Sequence, residues 1–110
     1  MTIIDKAAWQ IDGGVPKELV VKHFITVFSW LDRHKMLSDE GREEFEDGID
    51  SCASLNEDLI TPEALDFLEE CYDGYLKVIE QDGKYGSDSS DIELEKIYLN
   101  YSEKRRASRG

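Results

Sequence analysis

The stretch from Lys17 to Met36 constrains the fold more than any other. Val20, Phe24, Val27, Phe28 and Leu31 recur at the spacing of one helical face. Val21, Ile25 and Trp30 spread apolar surface around the rest of the cylinder, and a helix apolar on most sides has to be buried. The spacing therefore predicts a central helix over 17–36 with the other elements packed on it. Lys22 and His23 interrupt its apolar run, which falls short of the ~20 residues that a bilayer requires. No membrane role is expected.

Four further elements are expected around this helix. Ile3 and Ile4 are too few to assign, and Ala7 to Trp9 extend one helical turn; a short N-terminal hairpin is the main alternative to an all-helical reading. Trp9 and Ile11 flank the loop Gln10–Pro16 and are expected to dock on the central helix. Ser38 is a good N-cap for a helix from Asp39 to about Ser54, with Phe45, Ile49 and Cys52 as its inner stripe. Residues 55–60 read as a connector. Thr61-Pro62-Glu63 starts a third helix that stops before Gly83, with Leu65, Leu68, Tyr72, Tyr75, Leu76 and Ile79 inward. A polar loop from Asp82 to Ser90 carries Tyr85 at its tip. Ser90 and Glu93 form a capping box for a fourth helix over 91–102, ahead of a basic flexible tail, 103–110. The expected fold class is all-α, a small four- to five-helix bundle forming one domain over 1–102.

Charge is confined. The chain has a net charge of -12, and between Asp39 and Asp73 fourteen acidic residues face a single basic one, Arg42. The rest of the chain is close to neutral. On helices, Glu43, Glu46, Asp47 and Asp50 lie opposite the inner stripe, and Asp66, Glu70 and Asp73 share one side. If the two helices are antiparallel neighbours, these carboxylates merge into one field. Such a field opposes nucleic acid and favours a basic protein partner. It is also what a merely solvated acidic face looks like.

Nothing in the sequence points to catalysis. The two histidines, His23 and His34, lack metal-ligand spacing, and Cys52 and Cys71 form no zinc pattern. His34 reads as a cation at a helix end, His23 as a packed or half-exposed side chain, and the cysteines as reduced and buried. Asp82 to Glu93 has the length of a calcium loop, but Lys84 and Gly86 occupy ligand positions. No phosphate loop or nucleophile elbow is present. The expectation is a non-enzymatic protein with no cofactor and no metal, placed by default in the cytoplasm because no basic-then-apolar leader is visible.

Trp9, the Gly13-Gly14 turn, Pro16, an apolar helix with His23, Phe28 and Trp30, and Leu37-Ser38 together resemble small bacterial proteins that look like immunity proteins of polymorphic toxin and contact-dependent growth inhibition systems. The resemblance covers roughly residues 5–40. It implies an antitoxin role: binding a cognate toxin domain and blocking its active site or groove. A basic nuclease would suit the acidic field. The expected contact set is Glu43, Glu46, Asp47, Asp50, Asp66, Glu70 and Asp73, with Tyr72 and Tyr85 as aromatic anchors. The alternative is an acidic helical adaptor for another host protein. Any apolar surface left on the last two helices could make a homodimer.

Overall fold

The structure is a computed structural model that describes residues 2–87 and 89–109, with side chains to Ala107. Of the expected loop and tail, Asp88 and Gly110 lie outside the described residues, as does Met1. The order of elements is β1 (Ile3–Lys6), α1 (Ala7–Asp12), α2 (Lys17–Arg33), α3 (Asp39–Asp47), β2 (Ser54–Asn56), α4 (Pro62–Gln81) and α5 (Ser90–Arg109).

The helical reading holds in its coarse form, but an all-α bundle is not what the chain builds. β1 and β2 pair antiparallel, with Ile3 opposite Asn56, Asp5 opposite Leu55 and Lys6 opposite Ser54; the register shifts between Ile3 and Asp5. A second bridge joins Leu37 to Ile60, through Ser38 N to Leu59 O and Thr61 N to Met36 O. Residues 54–60 are therefore no plain connector. They satisfy the backbone of the N-terminus on one side and of the α2–α3 turn on the other.

α2 supplies the centre, as its pattern requires. Val20, His23, Phe24, Val27, Phe28, Trp30 and Leu31 are buried. It ends at Arg33 rather than Met36, because Lys35 adopts a left-handed conformation (φ 57°). Lys35 N then bonds Asp32 O and Met36 N bonds Leu31 O, the paired closure of a helix C-terminus. From α4, Phe67, Leu68, Tyr72, Tyr75 and Ile79 enter the same core; Leu94 and Tyr101 enter from α5. Phe67, which lies off the expected stripe of α4, is fully buried against Trp30 and Tyr101.

α3 is shorter than its pattern implies. Gly48, at φ 107°, turns the chain out of the helix. The stripe Phe45–Ile49–Cys52 therefore does not lie on one helix, and Cys52 is exposed rather than buried; Cys71 is half-buried. At the other end of α3, Gly41 lies so close to the connector that a Cβ there would sit 1.9 Å from Leu59 O. α5 is longer than expected. The basic segment after Ser102 continues the helix through Arg109.

Candidate docking surface

α3 positions the first half of the expected contact set. The Ser38 hydroxyl accepts from Gly41 N at 3.1 Å, and the same hydroxyl donates to Asp58 O at 2.6 Å, fixing the helix start on the connector. Phe45 turns inward against the core, and Glu43, Glu46 and Asp47 stay exposed. Asp50 is exposed as well, but one of its oxygens accepts from Cys52 N at 2.8 Å and holds the turn after α3.

The acidic C-terminal turn runs against helix electrostatics. The carbonyl end of a helix is its negative pole and favours cations. Here Glu44, Glu46 and Asp47 occupy that turn, without a basic residue among them. Among the described residues no ion pair neutralises Glu43, Glu44, Glu46 or Asp47. Glu43 and Asp47 also repel one another at i,i+4.

The second half of the set has different surroundings. α3 is held mainly by α2, whereas α4 is held by α5 and β1, so the two acidic helices are not the close antiparallel pair that a short connector suggested. Asp66, Glu70 and Asp73 are exposed on α4. The basic end of α5 folds down beside them: Arg105 is 4.0 Å from Asp66, close enough to Glu70 to feel its charge, and its guanidinium donates to the Tyr101 hydroxyl. Glu63, Asp66, Tyr101, Ser102, Arg105 and Arg106 line a shallow cleft of about 430 Å³ there. Part of the expected field, at Asp66 and Glu70, is thus answered within the molecule, whereas among the described residues no ion pair meets Asp73 or the end of α3 and the turn after it.

Neither tyrosine is available as a surface anchor. Tyr72 is only 3% exposed. Its hydroxyl donates to Asp5 at 2.6 Å and lies 2.8 Å from His23 Nε2. Asp5 also accepts from Lys6 N and from the Gln10 amide. With three sets of donors around it Asp5 is satisfied as a carboxylate, which makes His23 Nε2 the donor to Tyr72 in a neutral imidazole. Tyr85 is half-buried and stacks on the His23 ring, with centroids 4.6 Å apart. The loop tip is folded over α2 instead of projecting from it. Among the described residues His23 Nδ1 and the Tyr85 hydroxyl have no hydrogen-bond partner.

Burial sets the protonation of this network. It pulls His23 down to about 4. It pushes Asp5 up, against the hydrogen bonds from Tyr72, Gln10 and Lys6 that pull it down. Burial likewise raises Tyr72, Tyr85 and Tyr75, the last to about 12. The network ties β1, α2, α4 and the α4–α5 loop together. None of the clefts described is lined by His23, Tyr72 or Asp5.

Trp9 is the aromatic the surface does present. It is 52% exposed, with the Lys6 ammonium 5.9 Å from its ring, and so does not dock on α2 as expected. The signal was legible: Ala7 and Ile11 share a face at i,i+4, and Trp9 lies across the helix from it. His34 is not a free helix-end cation. Its Nε2 lies 2.6 Å from Glu95, which also accepts from the Trp30 indole at 3.1 Å. Among the described residues no group of three or more His, Cys, Asp or Glu side chains could hold a metal ion, and no helix is long and apolar enough to cross a membrane.

No protein family, curated protein or solved structure matches the chain.

Proposed function

We propose that this protein is an immunity protein: it binds a cognate toxin domain, a basic nuclease on this reading, and neutralises it through the acidic end of α3. The observation that carries the reading is the uncompensated run Glu43, Glu44, Glu46 and Asp47 at the negative pole of a short helix. Such an arrangement costs the isolated domain stability, by a few tenths of a kcal/mol for each unfavourable pair or helix-end charge. A partner cation that meets it recovers this cost and adds charge-steered association. Carboxylates at this density on a short helix suit a groove that otherwise holds phosphates.

The contact set is narrowed accordingly. Glu43, Glu46 and Asp47 form its centre, with Asp50 contributing its remaining oxygen. Asp66 and Glu70 are secondary because Arg105 already approaches them, and Asp73, exposed on α4, stays in the set apart from the α3 centre. Tyr72 and Tyr85 drop out as anchors, and the exposed Trp9 is the aromatic candidate on the surface.

The test is co-expression with the product of the adjacent upstream gene, followed by pull-down in rising salt and a growth assay. A complex that weakens with salt, together with loss of toxicity, is the expected result. No complex and no protection would reject the immunity reading.

A further inference from the structure

The outward side of α5 carries two large exposed apolar residues. Ile92 and Leu99 are 54% and 53% exposed, and seven residues apart they lie on one line of the helix, away from the buried Leu94 and Tyr101. Ile25 of α2, 42% exposed, stands across a groove that Arg33 and Asp91 bridge at 2.9 Å. Single exposed apolar residues need no explanation, but aligned ones on neighbouring helices do.

We propose that this face docks a second copy of the chain, with the two α5 helices antiparallel about a two-fold axis midway between Glu95 and Lys96. The argument is self-complementarity, which a two-fold contact requires. About that axis Ile92 meets Leu99 of the partner subunit, and Glu95 meets Lys96 of the partner subunit. Each contact occurs twice. Lys96 is largely exposed and 3.6 Å from Glu93 of its own helix, which Lys84 already holds at 2.9 Å; on Glu95 the oxygen held by His34 and Trp30 is Oε1, which leaves Oε2 to a second cation. Charge also selects the occupant. A chain of net charge -12 repels its own copies over most of its surface, whereas the centre of this face sets Lys96 beside Glu95 between the two apolar residues, with the exposed Glu103 one turn beyond Leu99. The pairing leaves the α3 end outside the dimer contact, so it does not depend on the proposed function.

Sedimentation equilibrium on the full chain tests the proposal. A reversible dimer is expected. Ile92→Glu with Leu99→Glu raises its dissociation constant on the order of 100-fold by removing both apolar contacts, and Lys96→Glu raises it about tenfold by setting like charges opposite each other. Far-UV circular dichroism of both variants stays that of the parent. With Cys52 and Cys71 replaced by serine, I92C mixed with L99C forms a disulfide and I92C alone does not. A chain that stays monomeric to about 1 mM, or a dimer indifferent to both variants, overturns the proposal. A disulfide that forms in I92C alone as readily as in the mixture overturns the antiparallel pairing.

Discussion

The hydroxyl of Tyr72 lies 2.6 Å from a carboxylate oxygen of Asp5, and that single contact fastens α4 to β1 inside the core. Asp5 comes from a strand of four residues whose one ladder partner among the described residues is a strand of three. A pair so short is not stable alone. What holds it is side-chain chemistry behind it. Tyr72→Phe keeps the ring and removes the donor, leaving a buried carboxylate short of one hydrogen bond and His23 without its acceptor. A loss of about 1–3 kcal/mol is expected in urea unfolding. The Asp5 carboxyl should titrate higher still, because the Tyr72 bond is one of the forces pulling it down. A loss below about 0.5 kcal/mol, with the Asp5 titration unmoved, would show that the contact holds nothing.

His23 gives the fold a defined response to acid. Its ordinary value is 6.5, and burial lowers it to about 4. Below 6.5 the unfolded chain takes up a proton that the folded chain refuses, so stability falls as pH drops from 6.5 toward 4 and is level above that window. The total is on the order of 3 kcal/mol. Asp5 acts in the opposite direction at the lower end. Raised when folded, it binds its proton more readily than the unfolded chain does, which offsets part of the loss once it protonates. The check is denaturation at several pH values for the parent and for His23→Leu. The variant should lose the slope between 6.5 and 4, and equal slopes would exclude His23 as its source.

Much of this fold was legible because periodicity reports burial directly. α2 and α4 were readable from their apolar spacing, and the caps Ser38 and Thr61 from their chemistry; both accept the expected backbone N–H. What escaped depended on partners distant in sequence. β1 is recognisable only beside residues 54–56, and Tyr72 looks like any apolar residue of a helical stripe until Asp5 and His23 converge on it from 67 and 49 residues away. The acidic run was countable in the sequence. That Asp66 in its α4 part meets Arg105, while among the described residues no ion pair meets its α3 part, was not, since the tail read as flexible and is helical.

The end of α2 carries a local cost. Lys35 adopts φ 57°, where its Cβ crowds the backbone. The closing bonds from Lys35 N and Met36 N require that conformation, which glycine adopts freely. Lys35→Gly should therefore stabilise the protein by roughly 0.5–1 kcal/mol, after subtracting the greater freedom of glycine in the unfolded chain. Thermal unfolding decides it. A lower midpoint would mean that the Lys35 side chain contributes more to the native state than its backbone strain costs.

Asp47 offers a way to separate stability from binding. It sits in the last turn of α3 and four residues after Glu43. Asp47→Lys places a cation at the negative pole of the helix and turns a repulsive i,i+4 pair into an attractive one with the acid on the N-terminal side. The domain should gain about 1 kcal/mol or somewhat less, because each term is worth a few tenths. If α3 docks a basic partner, the same substitution should weaken binding at least tenfold and flatten its salt dependence, since a lysine now faces the partner's cations. Stability rising while binding falls is the signature of a surface kept acidic for a partner. A variant that is more stable and binds as well as the parent would leave the carboxylates of α3 as a solvated face, and the docking surface would have to be sought around Trp9 or on α4.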